Sequence, residues 1–202
     1  MYFYKKNKYV FTRVLLLPII QFLRIIYQNY LFLNTIMDSE KIKYYMQVAL
    51  AYAKKAHAMD EVPVGAIIIK NNKIIAGAHN QLINNSDPTG HAEIIAIREA
   101  ARIIGNYRLV GCHMFVTLEP CLMCLGAIFN ARINSLFFGA YDKKTGACES
   151  VLPLASNKLI NHHCAVQGGV LEKETKALLQ EFFKEKRQKK PLPEDSGFLE
   201  CK

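Results

Sequence analysis

Thr89-Gly90-His91-Ala92-Glu93 and, after residues 94–118, Glu119-Pro120-Cys121-Leu122-Met123-Cys124 decide the reading of this chain. The pattern is H-x-E, a spacer long enough for one helix and one strand, then P-C-x-x-C. Imidazole nitrogen and thiolate sulfur are donors that zinc prefers, four of them in a tetrahedron. His91, Cys121 and Cys124 supply three, and a water can take the fourth place. Three protein ligands with one open position make a catalytic arrangement, whereas structural sites are closed. Cys121 and Cys124 are three apart, so on a helix they share a face. Pro120 suits the first turn of that helix, whose positive end favours thiolates. His91 and Glu93 are expected in the first turn of a second helix capped by Thr89. Glu93 is not needed as a ligand and is free to move protons beside a water whose pKa zinc lowers to about 7. Such a carboxylate contributes on the order of 100- to 10,000-fold.

Either half of the pattern alone is weak. Together, with proline before the first cysteine, they form the signature of zinc nucleobase deaminases. Two other readings use the same residues. A closed structural site would need a fourth ligand from Cys112, His113, Cys148, His162, His163 or Cys164. A zinc ribbon usually pairs two Cys-x-x-Cys knuckles, and this chain has one. A redox Cys-x-x-Cys would need thioredoxin-like surroundings that the sequence lacks.

The chain has 202 residues, 51% of them hydrophobic, enough for one core with tails. Outside the motif its cysteines show no disulfide-like spacing, which suits a reducing cytosol. The net charge of +9 is uneven. Residues 1–36 carry Lys5, Lys6, Lys8, Arg13 and Arg24 and no acid, so the rest is only mildly basic. Val14 to Ile26 is apolar but broken by Pro18, Gln21 and Arg24, short of a spanning helix. No stable membrane association is expected, and no signal-peptide cleavage site is evident. Residues 1–36 have three readings: an upstream start-site artefact with Met37 as the true start, a lineage-specific basic tail, or a surface-binding or targeting segment. The onset of helical patterning right after Met37 motivates the first. Residues 37–190 read as one zinc-dependent deaminase domain, and 191–202 as a polar, disordered tail.

Asp38 or Ser39 caps a helix whose Ile42, Tyr45, Met46, Ala49, Leu50, Ala53 and Ala56 form one apolar face. Val64 to Lys70 and Lys73 to Ala78 read as a hairpin around Asn71-Asn72. Its strongly apolar strands place it at the sheet centre. A polar loop runs to Pro88, and a helix from about His91 to Ile104 stops at Gly105. Then follow a strand at His113–Leu118, a helix at Cys121–Ala131 and a strand at Ile133–Phe138. After a loop at Tyr141–Leu152 come a short strand at Ala165–Val170 and a helix at Glu172–Lys190. That helix points Leu178, Leu179, Phe182 and Phe183 inward and ends in basic residues. The order predicts an α/β fold, a three-layer α/β/α sandwich with a mixed sheet of about five strands. Both motif halves follow strand ends and open helices, so two helix N-termini meet at the sheet's carboxyl edge.

From about residue 40 to 188 the chain resembles the bacterial tRNA-specific adenosine deaminases of the cytidine deaminase-like superfamily. The resemblance runs through Glu61-Val62-Pro63-Val64-Gly65-Ala66, His79-Asn80, Asp87-Pro88-Thr89 and Asn106-Tyr107-Arg108-Leu109. It continues through Thr117 to Cys121, Phe138-Gly139-Ala140, Asp142, Lys144 to Ala147, Gly169-Val170-Leu171 and Phe182-Phe183. One departure is Gly90, where the family commonly has alanine. The resemblance implies hydrolysis of adenosine to inosine at the wobble position of an ACG-anticodon arginine tRNA. Zinc-bound hydroxide would attack C6, with Glu93 as proton shuttle and one zinc per subunit. It implies that Asn80 hydrogen-bonds the base, that Val62, Pro63 and Val64 wall the pocket, and that the Ala92 backbone contacts the purine. Asp142 is expected near the ribose, and Lys144, Phe183, Lys186 and Arg187 on the anticodon stem-loop. It further implies a homodimer and a cytoplasmic location.

Plainer readings stand beside these. Asn80 suits a turn, and Asp142 a solvated loop. One of Phe182 and Phe183 is expected in the core and the other on the surface. The basic end of the last helix also complements its dipole. Two rival functions share the motif. One is a deaminase of free nucleobases or nucleotides, which would not need the 142–147 loop or the basic C-terminal helix. The other is a non-catalytic, zinc-stabilised RNA-binding module, in which Glu93 would be dispensable.

Overall fold

The computed structural model describes residues 38–189. The expectations for residues 1–36 and for the 191–202 tail lie outside the described residues. The chain divides into two units, Met1–Lys41 and Ile42–Lys202. Of the first, only residues 38–41 are described, and there Asp38 Oδ1 accepts the Glu40 N–H at 3.3 Å, the expected cap contact.

The second unit is built from α1 (Ser39–Ala58, which begins in the first unit), β1 (Gly65–Lys70), β2 (Lys73–His79), α2 (Leu82–Asn85) and α3 (Ala92–Ile104). It continues through β3 (Cys112–Leu118), α4 (Leu122–Asn130), β4 (Ser135–Ala140), a 3-10 turn (Leu154–Ser156), β5 (Ala165–Gln167) and α5 (Glu172–Lys189). The sheet order is β2-β1-β3-β4-β5. β1 pairs antiparallel with β2 and β3, while β3–β4 and β4–β5 are parallel. The sheet is therefore mixed and five-stranded, as expected.

The strand residues alternate between two covered faces. On one face Ala66, Ile68, Met114, Val116, Leu136 and Phe138 pack with Ala92, Ala96 and Ala100 of α3 and Leu125 and Ile128 of α4. On the other, Phe115 stacks on Phe137 at 4.6 Å between ring centroids, and Tyr45 of α1 meets Phe115 at 5.3 Å. Phe182 of α5 is buried there against His57. Backbones approach closely on this side: a Cβ on Gly65 would sit 2.2 Å from the Ala49 carbonyl oxygen and 2.4 Å from the Ala53 nitrogen. The result is the three-layer α/β/α architecture.

The hairpin turns where expected, with φ of 51° at Asn71 and 59° at Asn72, the doubly left-handed pair of a tight hairpin. Its placement differs from expectation. β3 holds the centre, and β2 is an edge strand whose first two residues, Lys73 and Ile74, are exposed. Apolar character identified strands but not centrality: only Ala76 and Ala78 of β2 are buried, whereas all of β1 but Lys70 is. The loop after Asn80 contains the short helix α2. The fifth strand stops at Gln167. On α5 only Phe182 of the four apolar positions is buried, and Phe183 is exposed.

Candidate active site

β3 runs into Glu119-Pro120 and then directly into α4, while the chain leaving β2 reaches α3 through the 80–91 loop. The N-termini of α3 and α4 come together there. The expected starts were one residue early: His91 and Cys121 are themselves the N-cap residues, in extended conformation, with Pro120 just outside the helix. Neither side chain makes a cap hydrogen bond; both turn toward the cluster they form with Cys124. Thr89 is not the cap. Its N–H and hydroxyl instead donate to Asp87 Oδ1 at 2.8 and 2.7 Å, closing the preceding turn. The unpaired first amide of α3 is met by Asn80, whose Oδ1 accepts the Ala92 N–H at 2.9 Å.

His91, Cys121 and Cys124 each offer a donor atom, all within 4.8 Å of one another. His91 Nδ1 lies 3.8 Å from Cys121 Sγ and 3.5 Å from Cys124 Sγ. Bonds of about 2.3 Å to sulfur and about 2.0 Å to nitrogen, opened to a tetrahedral angle, give an N···S edge of roughly 3.5 Å. One observed edge equals that value and the other is slightly longer, so the three residues fit zinc by donor type and spacing. Among the described residues no fourth His, Cys, Asp or Glu joins the cluster. That argues against the closed structural site.

The charges within the cluster suit a metal. Hydrogen bonding from Cys124 brings the Cys121 thiol down to about 4 despite burial, with His91 adding to the effect. The same pairing, with burial, pushes Cys124 up, so the two share a proton. His91 is raised by its hydrogen bond to Cys121, against burial. Glu93, in the first turn of α3, is 3% exposed, and burial raises its pKa. A buried carboxyl with a raised pKa beside this cluster is equipped to hold and release a proton.

The remaining expected residues divide. Val62, Pro63, Val64, Asn80 and Ala92 are brought together: Val64 accepts the Asn80 N–H at 3.1 Å, and Asn80 in turn holds Ala92. The Ala92 N–H is thus engaged by Asn80. Asp142 folds onto its own loop, accepting the Lys144 N–H and the Thr145 hydroxyl at 2.8 and 2.6 Å. Lys144, Phe183 and Arg187 are exposed. Lys186 pairs with Asp60 and lies over the Phe182 ring.

Two buried carboxylates were missed from the sequence, Glu61 and Glu119. Glu61 Oε1 accepts the Ile83 and Asn84 N–H groups at 2.7 and 2.8 Å, capping α2. Glu119 accepts from the 142–150 loop. Burial raises the Glu119 pKa, but hydrogen bonds from Ser150, Glu149 and Asp142 outweigh it and leave the group below the ordinary range. A glutamate one or two residues before a proline was the available signal.

Residues 39–140 match the family model described as the cytidine and deoxycytidylate deaminase zinc-binding region. Fold, ligand set and buried glutamate thus define a zinc-dependent deaminase. A tRNA-specific adenosine deaminase of Aquifex aeolicus is 46% identical over 145 residues, covering 72% of this chain and 95% of the relative. One of Bacillus subtilis is 42% identical over 146 residues, covering 72% and 91%. A structure from biochemical and structural studies of A-to-I editing by tRNA:A34 deaminases at the wobble position of transfer RNA superposes with a TM-score of 0.65. It is 41% identical and covers 67% of this chain and 98% of that one. The chain belongs to the tRNA-specific adenosine deaminase family.

Proposed function

We propose that the protein hydrolyses the wobble adenosine of an ACG-anticodon arginine tRNA to inosine, with one zinc per subunit. The observation that carries the reading is the convergence of His91, Cys121 and Cys124 beside the buried Glu93, in a chain whose relatives are tRNA-specific adenosine deaminases. Zinc, when bound, acts as a Lewis acid that makes water a competent nucleophile near pH 7. Glu93 takes one proton from the water and gives it to purine N1, then takes the second from the new C6 hydroxyl and gives it to the amino group, which departs as ammonia. Burial suits it to this, because a raised pKa makes both directions accessible. Asn80 has its Oδ1 committed to Ala92, which leaves its amide N–H groups to hydrogen-bond the base. Val62, Pro63, Val64 and the Ala92 main chain wall the purine and exclude water.

Asp142 reads the ribose hydroxyl, a group that distinguishes RNA from DNA. Lys144, Phe183, Lys186 and Arg187 contact the anticodon stem-loop, with Lys186 exchanging its Asp60 partner for phosphate. Residues 37–190 form the deaminase domain, which works as a homodimer in the cytoplasm. Among the described residues no helix is long and apolar enough to cross a membrane. The test compares the full chain on an anticodon stem-loop RNA, free adenosine, guanine and cytidine. Ammonia release with the RNA, at a kcat/KM far above that of any free substrate, is expected. Turnover of a free base with none of the RNA would overturn the substrate assignment.

A further inference from the structure

Glu119 is 2% exposed, yet it is no metal donor and the mechanism above does not use it. Its Oε1 accepts the N–H groups of Cys148, Glu149 and Ser150 at 3.1, 2.8 and 2.9 Å. Its Oε2 accepts the Asp142 N–H at 3.0 Å and the Ser150 hydroxyl. One carboxylate thus gathers both ends of the 142–150 loop. The loop is also tied to the metal-ligand turn: Ala147 N–H donates to the Pro120 carbonyl at 2.9 Å, and Cys121 bridges Gly146. Gly146 is needed for this approach, since a Cβ there would stand 2.4 Å from Glu119 Oε2.

We infer that Glu119 is a positioning residue whose buried carboxylate clamps the 142–150 loop to the Cys121 turn and so sets where Asp142 and Lys144 meet the substrate. The substrate half of this inference rests on the proposed RNA deamination; the clamp itself does not. Four converging main-chain N–H groups select a carboxylate. Glutamine in its place keeps the shape but presents an NH2 group to some of these donors, which leaves buried donors unpaired. Ala147 and Cys148 pack into the core, but Lys143, Lys144 and Thr145 are exposed and have only the carboxylate-anchored turn to fix them.

The experiment uses the zinc-loaded full chain as wild type, Glu119→Gln and Gly146→Ala, the last crowding both the carboxylate and the Asp142 carbonyl it faces. Hydrogen exchange is followed on peptides covering 141–152 and, for reference, on β3 and β4. Zinc content and steady-state kinetics on an anticodon stem-loop RNA are measured alongside. Exchange across 141–152 is expected to rise by about tenfold or more, with β3, β4 and zinc content unchanged. KM should rise about tenfold while kcat moves less than about threefold. Wild-type exchange in both variants would overturn the clamp, as would loss of zinc with the loop unchanged. A fall in kcat at unchanged KM would overturn the link to substrate placement. Should Glu119→Gln fail to fold, Gly146→Ala gives the same readouts. If wild type does not deaminate the RNA, the proposed function fails while the exchange data still decide the clamp.

Discussion

At the residue scale the chemistry turns on four side chains, His91, Glu93, Cys121 and Cys124. Glu93→Ala removes a buried carboxyl that ligates nothing, so zinc content and melting should stay close to wild type. The kcat should fall by about 100- to 10,000-fold; activity within tenfold of wild type would remove Glu93 from the mechanism. The cluster also predicts proton release on metal uptake. Without metal, the Cys121–Cys124 pair keeps a proton, Cys121 being pushed down and Cys124 up by their mutual hydrogen bond, and His91 is raised. Zinc must displace the Cys124 proton and any His91 proton, so its affinity should fall as pH drops. Calorimetric titration in two buffers of different ionisation enthalpy should report about one proton or more released per ion at pH 7; equal heats would contradict the shared-proton arrangement. These four residues were legible because zinc chemistry constrains residue type and spacing. The caps were not. A metal ligand at an N-cap withholds its side chain from the helix, and the partner that replaces it, Asn80, lies twelve residues from Ala92.

At the element scale, stability depends on helices pressed onto the sheet. Gly65 begins β1 in contact with the α1 backbone. Gly65→Ala should push the helix off and cost about 1–3 kcal/mol, read as a lower denaturation midpoint; an unchanged midpoint would mean the helix moves freely. The last helix gives a paired test. Phe182 is 4% exposed and Phe183 is 45% exposed. Phe182→Ala should destabilise by about 3–5 kcal/mol. Phe183→Ala should leave melting unchanged and weaken RNA binding by about 1–3 kcal/mol, the worth of one stacked base. Equal melting losses would return both to the core. Periodicity predicted one buried and one exposed phenylalanine but not which, because α5 meets the sheet along a narrow stripe. The strands were legible from apolar runs and the Asn71-Asn72 turn. Their order was not, because β2 becomes an edge through pairings with residues far along the chain. Helix α2 escaped notice because its cap, Glu61, comes from before the hairpin.

At the scale of the whole molecule, two loops frame the His91, Cys121 and Cys124 cluster, each tied down by a buried glutamate, the second with Ala147 and Cys148 packed into the core as well. Glu61 fixes the segment after Asn80, and Glu119 fixes the one carrying Asp142 and Lys144. Rigid donors on the sheet edge and tethered loops around them are what placing one nucleotide against one water requires. The proposed reaction is chemical and positional together: one adenosine, in one loop, hydrolysed at C6. The zinc-loaded full chain should be incubated with a transcript of the ACG-bearing arginine tRNA, with Glu93→Ala in parallel, and the cDNA sequenced for A-to-G change. The account predicts conversion at the wobble adenosine, at no other adenosine, and with wild type only. Conversion by Glu93→Ala, or none by folded, zinc-loaded wild type, would contradict it.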